Sequence, residues 1–205
     1  MPLMSARDSR RKSVKPFRTI LLGILLLAPP VATAVGSKLQ QYPRRFAEVI
    51  PGGLYRGGFP TARHVRNLYR DKRIKTIVSL TSDRDELKDK AEKRAAREAS
   101  IKFRRFPMPG NGCGEFGLLD RAADALADKR NWPIFFHCAA GKQRSNATLG
   151  AYRMRICRWP LERALKELED DYDLDREADK VLVDHLCAYA HWLTASNVRS
   201  EPKRR

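Results

Sequence analysis

The chain has 205 residues, enough for one domain with terminal extensions, and carries 41 Lys and Arg against 24 Asp and Glu, a net charge of +17. That balance favours anionic partners, whether phosphorylated molecules or an anionic membrane surface. It does not make a nucleic-acid binder: no such motif is present, and the aromatic residues are not interleaved with basic ones as a stacking platform requires. The four cysteines lie far apart without a CxxC pair, which argues against a zinc site or a dense disulfide framework.

Residues 1–18 are polar and basic, with Arg7, Arg10, Arg11, Lys12, Lys15 and Arg18. The apolar run ILLGILLLA follows at 20–28, then Pro29-Pro30 and the small residues Ala32-Thr33-Ala34. Charged, apolar, then small is the order of an export signal cleaved after Ala34. An uncleaved anchor also fits, because apolar character persists to Val35, and is favoured by the long basic stretch and by the Pro-Pro pair that blurs the cleavage region, although the run is short of the ~20 residues a spanning helix prefers. In both readings the basic end stays cytoplasmic and the rest crosses. The expected organisation is a signal or membrane anchor over 1–36, a linker over 37–49, a folded domain over 50–195 on the non-cytoplasmic side, and a basic tail over 196–205.

Within the domain, GLYRGGFP at 53–60 reads as a short strand ending in a glycine turn. Residues 61–71 have helical spacing, with Val65, Leu68 and Tyr69 on one side. IKTIVSL at 74–80 is a strand, and Ser82 or Asp83 is placed to cap a helix running to about Ala99. The dense charge of that helix reads as a solvated face. A strand is expected within 101–108, a loop at 109–117 (PGNGCGEFG), and an amphipathic helix at 118–129. The apolar run Ile134-Phe135-Phe136 predicts a buried strand. After it the spacing predicts only helices, over 145–157, 160–170 and about 176–193. Strands alternating with helices predict an α/β fold, a mostly parallel central sheet flanked by helices with a helical C-terminal third. Ligands in such sheets sit beyond the carboxyl ends of the strands.

The segment that carries chemistry is PIFFHCAAGKQRSN, 133–146. A strand, a tight glycine-containing loop and a helix N-terminus bind phosphate through backbone N–H groups and the positive end of the helix dipole. The same positive end stabilises a thiolate at Cys138. Arg144, six positions later, offers a planar, permanently charged fork for phosphate. The bare Cys-x5-Arg spacing is weak evidence, since CRWPLER at 157–163 repeats it with no buried strand, no glycine and a proline in the loop. Context separates the two. A bland alternative for Cys138 is a buried structural cysteine at a strand end.

HCAAGKQRS resembles the His-Cys-x5-Arg-Ser/Thr signature of the protein tyrosine and dual-specificity phosphatase superfamily. LYRGGFP with the helix and strand after it, FRRFPMP, and WPLERALKEL are similar to the small atypical dual-specificity phosphatases over about residues 50–193. The resemblance implies a metal-free and cofactor-free reaction through a phosphocysteine. It implies that Cys138 is the nucleophile and Arg144 the clamp. The cradle would be the main-chain N–H groups of Ala139, Ala140, Gly141, Lys142, Gln143 and Arg144. Ser145 would help expel the thiolate, and His137 would tune it. The substrates implied are phosphorylated proteins (phosphotyrosine or phosphoserine), phosphoinositides or inositol phosphates, and Lys142 is a candidate for an additional phosphate. Asn146 departs from the usual glycine. The 109–117 loop lacks the expected acidic aspartate.

The carboxyls expected on the shared rim are Asp83, Asp85 and Glu115, and Glu115 is the candidate general acid because it lies on the loop where the family keeps its own. Two other classes stay open: a catalytically weak phosphate-binding module, and a rhodanese-like sulfurtransferase, which the helical C-terminal third and the Cys–Arg spacing disfavour. Cys113 is a candidate for a reversible disulfide with Cys138 if its loop reaches the rim. His64, His185 and His191 read as ordinary helix residues, and Cys157 and Cys187 as small core residues.

Overall fold

The computed structural model describes residues 41–82 and 86–200; the apolar run at 20–28 and the carboxylates Asp83 and Asp85 lie outside them. Five strands form one sheet: β1 (Ala47–Ile50), β2 (Leu54–Gly57), β3 (Thr76–Ser79), β4 (Lys102–Arg105) and β5 (Ile134–His137). Their spatial order is β1-β2-β5-β3-β4. β1 is antiparallel to β2, and every other pairing is parallel. Among the described residues there are six α-helices: α1 (Ala62–Lys72), α2 (Leu87–Glu98), α3 (Phe116–Ala127), α4 (Gln143–Ala151), α5 (Leu161–Tyr172) and α6 (Lys180–Ser200). This is the mostly parallel α/β fold expected from the sequence. Among the described residues no helix is long and apolar enough to cross a membrane.

Side-chain alternation along the strands decides which helix meets which residue. Leu54, Val78, Ile134 and Phe136 face a core shared with α3, α4, α5 and α6. Tyr55, Ile77 and Phe135, each one position away, face the smaller core under α1 and α2. His137 therefore falls on the α2 side of the sheet and Arg56 on the α4 side. The parallel register aligns Gly57, His137, Ser79 and Arg105 in one row at the carboxyl ends of four strands. The loops that follow these residues share one rim.

The structure moves several boundaries. The fold begins inside the stretch read as linker: Tyr42 stacks on Phe46 at 4.4 Å, Phe46 stacks on Tyr55 at 5.8 Å, and β1 follows. Its short mixed pattern conceals an edge strand. α2 starts at Leu87 with Glu86 at the cap position, beyond the expected Ser82 or Asp83. Tyr69 is largely exposed, and Asn67 is buried in its stead because its side chain donates to the Gln41 carbonyl at 2.8 Å. α4 starts two residues early, at Gln143, and passes after Ala151 into a π-helical turn, Tyr152–Ile156. α6 continues through Ser200, into the expected tail.

Candidate active site

Cys138 follows β5 directly and is buried with its sulfur accepting the Gly141 N–H at 3.2 Å. The loop is held open by donors behind it. Arg44 Nη2 donates to the Ala139 carbonyl at 3.3 Å, and the Phe59 N–H to the same oxygen at 3.2 Å. Arg45 Nη1 donates to the Ala140 carbonyl at 3.3 Å. Arg56 Nη2 donates to the Gly141 carbonyl at 2.9 Å. Three successive carbonyls are thus drawn away from the sulfur, and the opposite ends of peptides, their N–H groups, are what the loop offers an anion. Gly141 has φ of +73°, and a Cβ there would lie 2.7 Å from the Gly57 carbonyl carbon and the Gly58 nitrogen. Glycine is required both by conformation and by space.

Electrostatics favour the sulfur anion. Burial pushes the Cys138 thiol up, but the hydroxyl and N–H of Ser145, the N–H of Lys142 and the Arg144 charge outweigh it and place the thiol below its ordinary value. Ser145 Oγ is buried, has no other hydrogen bond of good geometry among the described residues, and acts on the sulfur. Arg144 opens on a cavity of about 80 Å³ shared with Phe59, Thr81, Ser82, Glu86, Lys88, Asp89 and Ala139.

Three supports were not read from the sequence. Arg56, almost fully buried, bonds both Gly141 and Asn146 Oδ1, the latter at 2.7 Å, and stacks on Tyr172 with 4.2 Å to the ring centroid. Burial pushes its guanidinium down to about 10, so it stays charged near neutral pH. Asn146 also donates to the Tyr172 carbonyl at 3.2 Å, which explains the residue standing where a glycine is usual: it ties the helix start to Arg56 and α5. Asp179, buried before α6, holds the far side of the loop through Lys142 at 3.1 Å and Gln143 at 2.5 Å. Lys142, a candidate for an additional phosphate, is here paired with Asp179. The solvated face of α2 holds for Lys88, Lys90, Arg94, Arg97 and Glu98, and Asp89 and Glu92 are the exceptions to it. Asp89 is buried against Arg105 at 2.7 Å, and Glu92 Oε1 lies 2.8 Å from His137 Nε2 with both side chains fully buried. Asp89, Glu92 and Ala96 recur at three- and four-residue spacing, the stripe that could have shown this buried face.

Glu115 is not brought to the Arg144 cavity. It takes the cap position before α3 and borders a different cavity, with Arg105, Phe106, Cys113 and Arg121. Its loop is pinned by close packing: a Cβ on Gly112 would lie 2.8 Å from the Gln143 carbonyl of α4. Cys113 lines that second cavity too. Its thiol donates to the Val181 carbonyl of α6 at 3.6 Å, burial pushes it up, and both Cys113 and Cys138 are free thiols. The carboxyls at the Arg144 cavity among the described residues are Glu86 and Asp89. Of the histidines, His64 completes a capping box with Thr61, and His185 bonds the Gly114 carbonyl at 2.9 Å. Cys157 packs at the edge of the larger core.

A buried cysteine whose thiol lies below its ordinary value, with its sulfur accepting a backbone N–H, sits at the carboxyl rim of a parallel sheet. A family model described as the tyrosine phosphatase family matches residues 42–179, more than half of the chain, and the protein belongs to that family. The dual specificity protein phosphatase TpbA of Pseudomonas aeruginosa is 26% identical over 116 residues, 57% of this chain and 50% of the relative. The inositol diphosphatase DSP2 of Oryza sativa subsp. japonica is 28% identical over 131 residues, 62% of this chain and 61% of the relative. The chain therefore spans about half to three-fifths of the length of these curated relatives. The core catalytic domain of the PP-IP phosphatase SIW14 from S. cerevisiae shares the fold, with a TM-score of 0.57 at 23% identity over 70% of this chain and 85% of that one.

Proposed function

We propose that the protein hydrolyses phosphomonoesters through a phosphocysteine at Cys138. The observation that carries this reading is the buried sulfur, held by the Gly141 N–H and favoured as an anion by its loop. In the first step Sγ attacks phosphorus in line with the ester oxygen; the S–P bond forms, the P–O bond breaks, and the leaving oxygen takes a proton. Arg144 and the loop N–H groups hold the transferring oxygens. In the second step water attacks phosphorus, its proton passes to the carboxylate that gave one up in the first step, and the P–S bond breaks. Inorganic phosphate leaves, with the Ser145 hydroxyl stabilising the returning thiolate. The curated relatives are named for phosphorylated-protein and inositol diphosphate chemistry. The basic rim formed by Lys88 and Arg144 suits both substrate classes.

A phosphate-release screen of the full chain over phosphotyrosine and phosphoserine peptides, phosphoinositide vesicles and inositol polyphosphates tests the reading. Phosphate is expected from at least one class. Tungstate binding without release from any class would replace the enzyme with a phosphate-binding module.

The proton for the leaving oxygen is assigned in this reading to Glu86. Asp89 is already engaged by Arg105 at 2.7 Å and Lys93 at 3.2 Å. Glu86 pairs with Lys88 at 2.7 Å on a half-open rim, and a substrate phosphate competes for that lysine. Since a positioned acid contributes ~10²–10⁴-fold, Glu86→Gln is expected to slow alkyl phosphate hydrolysis by at least ~10²-fold and p-nitrophenyl phosphate far less. Glu115→Gln is expected to affect both substrates equally and slightly. Comparison of kcat on the two esters decides; a leaving-group-dependent loss in the Glu115 variant would return the acid to that loop.

A further inference from the structure

The buried pair beneath the nucleophile has a role that the phosphocysteine chemistry leaves unassigned. Glu92 reaches across from α2 and places Oε1 2.8 Å from His137 Nε2. Both side chains are fully buried, and neither the carboxylate oxygens nor His137 Nε2 has a hydrogen bond of good geometry among the described residues, so each is the other's polar neighbour at ion-pair distance. A buried carboxylate without such a neighbour is costly, and a helix face of alanines would have packed here without it. On its other side, His137 Nδ1 faces the Cys138 carbonyl at 3.3 Å. With the carboxylate ionised, two oxygens facing two ring nitrogens suit a doubly protonated imidazole. Phe135 stacks on the ring at 5.6 Å and Phe59 meets it edge-on at 5.3 Å, which fixes its orientation and excludes water.

We propose that Glu92 is a positioning residue for the nucleophile: it holds His137 as a cation against the Cys138 peptide, and that fixed positive charge helps keep the sulfur ionised. The titratable groups packed around His137 are Glu92 from α2 and Cys138 at the end of its own strand; the aromatic contacts are Phe59 and Phe135. The other charges that act on the sulfur include Arg144 from α4 and the buried Arg56 of β2. The chain of effect runs Glu92, His137, the Cys138 carbonyl, the thiolate. The inference rests on the proposed chemistry of Cys138 only for its consequence in turnover, since the thiolate can be read directly.

The test is alkylation of Cys138 by iodoacetamide across pH 5 to 9 in the full chain, followed by mass spectrometry of the Cys138 peptide. Such a reading does not depend on any phosphatase substrate. Glu92→Gln keeps the shape and removes the charge. An opposite charge at this range alters a neighbour's ionisation by about tenfold or more, so alkylation at pH 6 is expected to slow by about tenfold and to converge with the native rate at high pH. The acid limb of kcat/KM should move upward in parallel. In a His137→Asn background, where Asn still donates to the Cys138 carbonyl, Glu92→Gln should add nothing. An unchanged alkylation profile in folded Glu92→Gln protein, or a shift that persists in the His137→Asn background, would overturn the proposal. If the variants do not fold, ¹⁵N shifts of His137 in the native protein decide: both nitrogens protonated at pH 7 supports the pair, and a neutral ring overturns it. Normal alkylation behaviour with no phosphate release from any substrate would sink the proposed enzyme and leave this pair intact.

Discussion

Cys138→Ser is expected to lower kcat by at least ~10⁴-fold, the scale seen when a covalent nucleophile is removed, while binding of tungstate stays unchanged. The sulfur is the one atom placed both at the end of β5 and within reach of the Gly141 N–H. A serine hydroxyl fits the same space and accepts the same N–H, so the loop, its arginine struts and the helix start stay in place. It offers no accessible anion near neutral pH, so the first step has no nucleophile. A loss of ~10⁴-fold corresponds to about 5.5 kcal/mol of barrier, more than any single hydrogen bond in the loop supplies. Kinetics on p-nitrophenyl phosphate and calorimetry with tungstate read the two halves separately. Undiminished hydrolysis by the serine protein would end the phosphocysteine reading; loss of tungstate binding together with turnover would show only that the loop had collapsed.

What was legible in the sequence is what local pattern can encode. Ile134-Phe135-Phe136 announced a strand buried on both faces, and the glycine and helix start after it announced an anion site. The alternation of the strands carries further than it was read. Leu54 and Arg56 share a face, so a charged residue between apolar neighbours on the larger core's side signalled a buried strut. The same alternation sends His137 to the α2 side, where the stripe of Asp89, Glu92 and Ala96 was waiting. These pairs were missed because each half is ordinary alone: an arginine in a basic chain, two acids in a charged helix. Only the register of β5 between β2 and β3, and the height of α2 above the sheet, join them.

Glu115 shows the opposite limit. Its place in the chain was legible, and the cavity that it borders was not. A loop leaving the correct rim of the sheet was assumed to lean over the signature, yet α3 begins immediately after it and fixes Glu115 at the helix start. The close packing of Gly112 against α4 then turns this loop toward α6, where Cys113 meets Val181. Sequence position fixes which strand end a loop departs from; packing against later helices, here α4 and α6, fixes where it goes.

Gly141→Ala should be nearly as damaging as loss of the nucleophile, although it removes no chemical group. Its φ of +73° lies in the left-handed region, which costs a non-glycine residue about 1 kcal/mol. The larger penalty is steric. The new methyl would meet Gly57 C and Gly58 N at 2.7 Å, and these are backbone atoms of a strand end that cannot turn aside as a side chain would. Relief requires the Gly141 peptide to rotate or shift, and both of its ends are in use. Its N–H leaves Cys138 Sγ, and its carbonyl leaves Arg56 Nη2, a buried guanidinium that already has two unpartnered nitrogens. Removing one well-placed donor from an oxyanion site costs ~10²–10³-fold, and kcat/KM is expected to fall by at least that much. Alkylation of Cys138 near pH 6 should slow with it, since the same N–H stabilises the thiolate. Overpacking of this kind costs about 1–3 kcal/mol, so a lowered but cooperative melting transition is expected. Native kcat/KM in the alanine protein would show that the loop accommodates a side chain at this position and that the cradle is not built on the Gly141 peptide.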